Sequence, residues 1–255
     1  MEDALRVTLV ANAGVLVEYR GAGLLIDAVF GTEAHPFSSP PERTVEKLLD
    51  GAHPFERVDY LLFTHAHPDH FSPELTAELL RRRTVKGAFL PDCPGLRTSG
   101  LTDVLRESGA EAVLLGDETE AAERSPEPWL TIRAFRTLHL DEKYRRVPHF
   151  CYLLTCGEKR LLFTADADYL SENFSDLNDC ALRAAFVNPL FFNALVTGRY
   201  FHGTLNTETI CVYHVPFEGE DSMNMRGSLR RMYERWGERY PPVLTLTEPF
   251  ERLTL

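Results

Sequence analysis

In "LLFTHAHPDHFSPE", residues 61–74, the side chains of His65, His67, Asp69 and His70 fall within six consecutive positions directly after an apolar run. Imidazole nitrogens and carboxylate oxygens are ligands of borderline divalent metals, which they hold at about 2.0–2.2 Å. A lone histidine at a strand end is most often an ordinary polar residue. Three histidines and an aspartate together are different, because without a cation their desolvation and mutual repulsion would go uncompensated. Where a strand breaks, alternate residues can turn toward one point, so His65 and His67 can share an ion. Pro68 then stiffens the turn that sends Asp69 and His70 toward a second point beside the first. One ion would be crowded by all four.

The flanking elements must hold these groups in place. "RVDYLLFTH" is short and β-prone and reads as a buried strand delivering His65 at its C-terminal end. In "HFSPELTAELLRRR" Ser72 stands as N-cap and Pro73 at the first helical position, with Leu75, Leu79 and Leu80 as the apolar face. Upstream, "RVTLVAN", "GVLVEYRG" and "GLLIDAVF" read as consecutive strands, and Asp27 at the end of the third is either a turn cap or a functional group. A Pro- and Ser-rich loop and a short helix near residues 44–49 follow.

Downstream, "KGAFLPD" and "EAVLLGD" read as strands around a helix, "TSGLTDVLRESG", that ends at Gly109. "RSPEPW" reads as a Pro-bearing break, after which "LTIRAFRTLHL" and "HFCYLLTCGEKRLLFTADADYL" supply strands with a hairpin turn at Gly157-Glu158. "DCALRAAFVNPL", "ETICVYHVPF", a helix near residues 222–239 and a last strand "PVLTLTEPF" complete the chain. "LLFTH" at 61–65 recurs as "LLFTA" at 161–165, with Asp166 next. Four matching residues do not establish a duplication, but both copies set a coordinating residue at a strand end. With no Gly/Ser linker or composition break, residues 1–255 are expected to form a single domain.

Composition limits the function classes. At 255 residues, 44% hydrophobic and 25% charged, the chain can bury a substantial core. A net charge of −11, with no basic run beyond Arg81-Arg82-Arg83, disfavours nucleic acid as a partner. Five cysteines without framework spacing, no secretory signal and no apolar run of about 20 residues lead to the expectation of a reduced, cytoplasmic protein without a membrane span. Cys151 and Cys156, five apart on one strand, read as buried structural thiols on opposite faces.

"THAHPDH" resembles the HxHxDH signature of the metallo-β-lactamase superfamily, and the "FSPE" helix start and the opening ending in "LLIDAVF" fit the same pattern. The resemblance implies an α/β fold, the αββα four-layer sandwich, and two divalent metal ions, zinc expected with manganese or iron as alternatives. It places His65 and His67 with a later histidine on one ion, and Asp69 and His70 with a final histidine on the other. A later aspartate bridges the two. Asp166, at the end of an apolar strand, is expected as the bridge in preference to Asp168, and His139 as the third ligand of the first ion. His214 is expected as the last ligand, with His202 and Arg199 as substrate contacts. His149 reads as structural or pocket-edge, and His35 and His53 as surface residues.

Such a site implies a metal-dependent hydrolase, in which two ions ionise water and polarise the bond under attack while Asp69 orients or deprotonates the nucleophile. An ester, lactone or phosphodiester of a small metabolite, phosphorylated or not, is the expected substrate, in the manner of the compact lactonase-like branch. Arg145 and Arg146 join Arg199 as candidates to pair with an anionic group. The alternatives are a non-catalytic metal-binding sensor or scaffold and a diiron redox protein, the last less favoured because such relatives usually replace a motif histidine with a carboxylate. The helix near residues 222–239 is either a plain surface helix or part of a homo-oligomer interface.

Overall fold

The computed structural model describes residues 4–32, 35–177, 179–200, 205–236 and 241–255. The chain divides into two compact units, residues 1–118 with 248–255 and residues 119–247. Each is built on a seven-stranded sheet.

In the first unit β1 (Arg6–Ala11), β2 (Gly14–Tyr19) and β3 (Ala22–Ile26) form an antiparallel meander. Helix α1 (Glu42–Asp50) leads to β4 (Tyr60–Leu62), α2 (Pro73–Arg82) to β5 (Gly87–Pro91), and α3 (Gly95–Thr98) with α4 (Leu101–Ser108) to β6 (Glu111–Leu115). β3 to β6 pair in parallel, as helical crossovers require. The last strand, β14 (Arg252–Thr254), pairs antiparallel with β1. Leu48, Leu79, Leu80, Leu101 and Val104 of the helices are buried against Leu61, Phe63 and Leu90. As expected, Ser72 caps α2, its hydroxyl accepting from the Leu75 N–H, and α4 stops at Gly109, which is left-handed at φ 71°. The β1–β2 turn admits only glycine at position 14, where a Cβ would stand 2.7 Å from the carbonyl oxygen of Asp27.

The second unit repeats this pairing order. β7 (Ala121–Glu127), β8 (Leu130–Thr137), β9 (His149–Cys156) and β10 (Lys159–Phe163) are antiparallel in sequence. β11 (Ala184–Val187), β12 (Ile210–Val212) and β13 (Val243–Thr245) then extend the sheet in parallel, with α5 (Pro189–Thr197) and α6 (Met225–Trp236) in the crossovers. Leu229 of α6 is buried, and Met225, Met232 and Trp236 pack against the same core, so one face of the helix is docked on its own unit.

By register the counterpart of β10 is β3. Each closes a tight hairpin, Tyr19 opposite Ala22 and Cys156 opposite Lys159, and the residue directly after each strand bonds the neighbouring parallel strand, Asp27 N–H to Leu62 and Thr164 N–H to Phe186. The repeated "LLFT" therefore sits on β4 and β10, which are not counterparts; the likeness of the units is topological. Two other expectations are corrected. β4 ends at Leu62, short of His65, because its neighbour β3 ends at Ile26 and Asp27 turns away at φ 48°. The break read at "RSPEPW" is largely strand: β7 runs through Pro126, tolerated because β7 is the sheet edge and bulges between Arg124 and Glu127. All five cysteines are free, and burial pushes the Cys156 and Cys211 thiols up to about 12. Among the described residues no helix is long and apolar enough to cross a membrane.

Candidate metal centre

The candidate ligands lie just beyond the C-terminal ends of strands in both units. In the first unit everything turns on Asp27, which is fully buried at the end of β3. One oxygen accepts the Thr64 N–H at 2.8 Å; the other accepts the Thr64 hydroxyl at 2.6 Å and faces His70 Nδ1 at 2.9 Å. A carboxylate only accepts, so His70 carries its proton on Nδ1. The Thr64 hydroxyl has spent its proton on Asp27, so at its 3.0 Å contact with His65 Nδ1 it is the acceptor. One aspartate thus sets both tautomers, leaving the Nε2 lone pairs of His65 and His70 as ligand atoms, the arrangement carboxylates impose on metal-binding histidines.

Those lone pairs point at other donors. His65 Nε2 lies 2.9 Å from His67 Nδ1, and His70 Nε2 lies 3.4 Å from Asp69 Oδ2. Two ligands at about 2.1 Å on one tetrahedral or octahedral ion stand about 3.0–3.4 Å apart. Lone pairs brought this close repel unless a cation or a proton stands between them. Asp69 is itself held: the Asn12 amide donates to its Oδ2 at 3.0 Å and to its carbonyl oxygen at 3.2 Å. Both partners are acceptors, which fixes the amide orientation without appeal to hydrogen positions.

The second unit brings three further candidates together. Asp166 directs Oδ2 to His139 Nε2 at 3.5 Å and Oδ1 to His214 Nε2 at 2.8 Å. A carboxylate that sends each oxygen to a different histidine has the form of a bridge. His214 holds φ at 59°, beyond β12, and is buried; His139 is buried beside Ala167 in an isolated bridge. Its surroundings differ from those of His65 and His70, since the Asp141 N–H donates to His139 Nδ1 at 3.1 Å and puts the proton of the neutral ring on Nε2. Ligation through that nitrogen requires this contact to yield. Asp166 lies in a tight turn closed by the Ala167 N–H to the Thr164 carbonyl at 2.9 Å, with Ala165 left-handed at φ 43°. An alanine in that conformation costs roughly 1–2 kcal/mol.

Asp168 is buried and its carboxylate is paired with half-buried Arg145. Arg146 and Arg199 are exposed, and His202 lies outside the described residues. His149 is buried at the start of β9 with Nδ1 2.8 Å from the Thr137 hydroxyl, a structural placement. His53 is exposed beside Glu56, while His35 is half-buried between the Gly31 carbonyl and the Ser39 hydroxyl. Asn12, Thr64, Asn188 and Tyr213 carry no sequence signal of their own; only Asp27, at a strand mouth, was visible as a candidate. Chemically, the donors fit divalent metals: neutral imidazoles and carboxylates, with two of the histidine tautomers already set.

No family model matches the chain. The 4-amino-L-phenylalanyl-(CmlP peptidyl carrier protein) 3-hydroxylase of Streptomyces venezuelae is 30% identical over 173 residues, which are 67% of this chain and 30% of that enzyme. A UPF0173 protein of Pyrococcus abyssi is 27% identical over 179 residues, 68% of this chain and 65% of that protein. The chain thus spans less than two thirds of either curated relative. Among solved structures, CmlA, a diiron β-hydroxylase from Streptomyces venezuelae, is matched at a TM-score of 0.62 and 19% identity, over 100% of this chain and 54% of that one. Igni18, a metallo hydrolase from Ignicoccus hospitalis, is matched at 0.64 and 17% identity, over 99% and 98%. A possible metal-dependent hydrolase from Veillonella parvula is matched at 0.67 and 13% identity, over the full length of both chains. With two mixed sheets, helical crossovers and the HxHxDH loop in place, the chain has the α/β fold of the metallo-β-lactamase superfamily.

Proposed function

We propose that this protein is a metal-dependent hydrolase, with His65, His67, His139 and Asp166 serving one divalent ion and Asp69, His70, His214 and Asp166 a second. The observation that carries the reading is the pair of donor sets at ligand–ligand spacing, His65 with His67 and His70 with Asp69 in one unit and Asp166 between two histidines in the other. Bound zinc, or manganese or iron in its place, supplies Lewis acidity that ionises water near neutral pH and polarises the bond under attack. Asp69 is the catalytic residue: it orients the attacking water and accepts its proton, while the Asn12 amide fixes Oδ2 and so sets the direction of the second oxygen. Asp27 and Thr64 keep the two imidazoles in the ligating tautomer.

The substrate class proposed is a small ester, lactone or phosphodiester, with exposed Arg199 available to an anionic group. A second reading, diiron redox chemistry, draws support from the hydroxylase at 30% identity and from the diiron CmlA structure. It is less favoured because the motif histidines His65, His67 and His70 are all present, whereas relatives with that chemistry usually replace a motif histidine with a carboxylate. Metal analysis combined with a screen of lactones, phosphodiesters and phosphorylated metabolites separates the two. Two zinc or manganese ions with hydrolytic turnover is the expected result. Bound iron with a visible absorption band and no hydrolysis would overturn it.

A further inference from the structure

Asp166 is held by neighbours that are not themselves candidate ligands. The peptide unit before it belongs to Ala165, and both polar groups of that residue are gripped by buried side chains. The Ala165 N–H donates to the Tyr213 hydroxyl at 2.9 Å, and the Asn188 amide donates to the Ala165 carbonyl at 2.6 Å. Tyr213 and Ala165 are fully buried and Asn188 nearly so. Asn188 Oδ1 is used as well, accepting the N–H groups of Leu190 and Phe191 to cap α5.

The three residues come from three adjacent strand ends. Ala165 follows β10, Asn188 follows β11 and Tyr213 follows β12, and these strands are consecutive in the sheet. Tyr213 therefore reaches past the middle strand to the turn on its far side. It immediately precedes His214, itself left-handed at φ 59°, so one residue is tied to both the carboxylate turn and the histidine that faces it. Left-handed backbone is the natural choice of glycine or asparagine, and nothing in an alanine favours it. The two hydrogen bonds supply what the residue type lacks.

We propose that Tyr213 and Asn188 are positioning residues that lock Ala165 left-handed and thereby aim Asp166 at His139 and His214. The proposal rests on the metal reading above, with Asp166 as a ligand. Ligands whose orientation is fixed by outer hydrogen bonds typically lose 10–100-fold in metal affinity when those bonds are removed.

The test uses the full chain, with zinc affinity measured by chelator competition and ligand geometry followed through the visible spectrum of the cobalt-loaded protein. Tyr213→Phe removes one hydroxyl and should weaken zinc binding by about 10-fold or more, with an altered cobalt spectrum. Asn188→Asp keeps the acceptor that caps α5 but loses the donor to Ala165. It should also weaken binding, and its added negative charge would by itself act in the opposite direction, so a loss cannot be ascribed to charge. Ala165→Gly, combined with Tyr213→Phe, should restore most of the lost affinity, because glycine adopts the left-handed conformation unaided. A general packing defect would not be rescued in this way. If wild-type protein binds zinc and both single variants bind it with equal affinity and spectrum, the positioning role is overturned while the metal reading stands. If wild-type protein takes up no ion, the metal reading itself fails and this assignment falls with it.

Discussion

Asp27 shows how much a single buried carboxylate can determine. It accepts two hydrogen bonds from Thr64 and one from His70, and through the Thr64 hydroxyl it fixes His65 as well. Nothing in the HxHxDH spacing names it, because the dependence runs from β3 to the loop after β4, across 37 residues to Thr64 and 43 to His70. Asp27→Asn keeps the shape but replaces one acceptor oxygen by an amide donor. The amide then faces either the Thr64 N–H, or both the Thr64 hydroxyl and the His70 Nδ1–H, which share one oxygen; in either orientation a buried donor meets a donor and the network that sets the tautomers is broken. Zinc affinity should fall about 10–100-fold, and the metal-free protein should lose roughly 1–3 kcal/mol from the unsatisfied buried group. Chelator competition and urea unfolding measure the two separately; unchanged zinc affinity would show that Asp27 does not set the tautomers. Asn12 bears on Asp69 alone, so Asn12→Ala should lower kcat by an order of magnitude or more, within the range typical of proton-transfer positioning, and should weaken only the second ion, which Asp69 is proposed to hold. A wild-type kcat in the fully metal-loaded variant would count against Asn12 as the residue that positions Asp69.

The elements were legible wherever a local signal exists. Ser72 and Pro73 announce α2, Gly109 ends α4, and the alternation in β8 follows the two-residue period of a half-buried strand, whereas β1, β2 and β9 are buried on both faces. Ser72→Ala should destabilise the protein by about 1 kcal/mol, since it removes the acceptor of the Leu75 N–H. Chemical unfolding will register that change; a variant as stable as wild type would mean that Glu74 or water substitutes for the cap. Less legible were features decided by distant partners. Pro126 looked like a break because a sequence cannot say which strand lies at an edge. The short strand β14 has no pattern of its own and exists because β1 offers it an open side. For the candidate site the motif loop is readable because four candidate ligands fall within six residues. His139, Asp166 and His214 had to be taken from the resemblance, and Tyr213 and Asn188 were hidden because their task is to hold a backbone conformation rather than to present chemistry.

At the scale of the whole molecule, ionisation and metal binding both act through differences between folded and unfolded chains. Burial holds the Cys156 and Cys211 thiols at about 12, whereas in the unfolded chain they ionise near the usual value of 9. The contribution of each is therefore fully present below about pH 9 and is lost as pH rises toward 12, because the unfolded state sheds its protons first. The slope should approach about 1.4 kcal/mol per pH unit for each thiol. Urea unfolding across this range should show the decline, and a Cys156→Ala, Cys211→Ala variant, less stable at neutral pH, should show a shallower one. Metal removal is the complementary case. An ion that binds only the folded chain stabilises it by RT ln(1 + [M]/Kd), about 2.7 kcal/mol at a hundredfold excess over Kd. For a chain of this length each kcal/mol moves the midpoint by roughly 2–4 °C. Stripping the protein with a chelator should thus lower its thermal midpoint by about 5–10 °C for each ion held so tightly. Added zinc should restore it in proportion to the logarithm of free concentration. In the His67→Ala and Asp166→Ala proteins the stripped midpoint should respond less to zinc, because each has lost a ligand; Asp166→Ala should respond least if that carboxylate serves both ions. A full response in both variants would remove these residues from the ligand set.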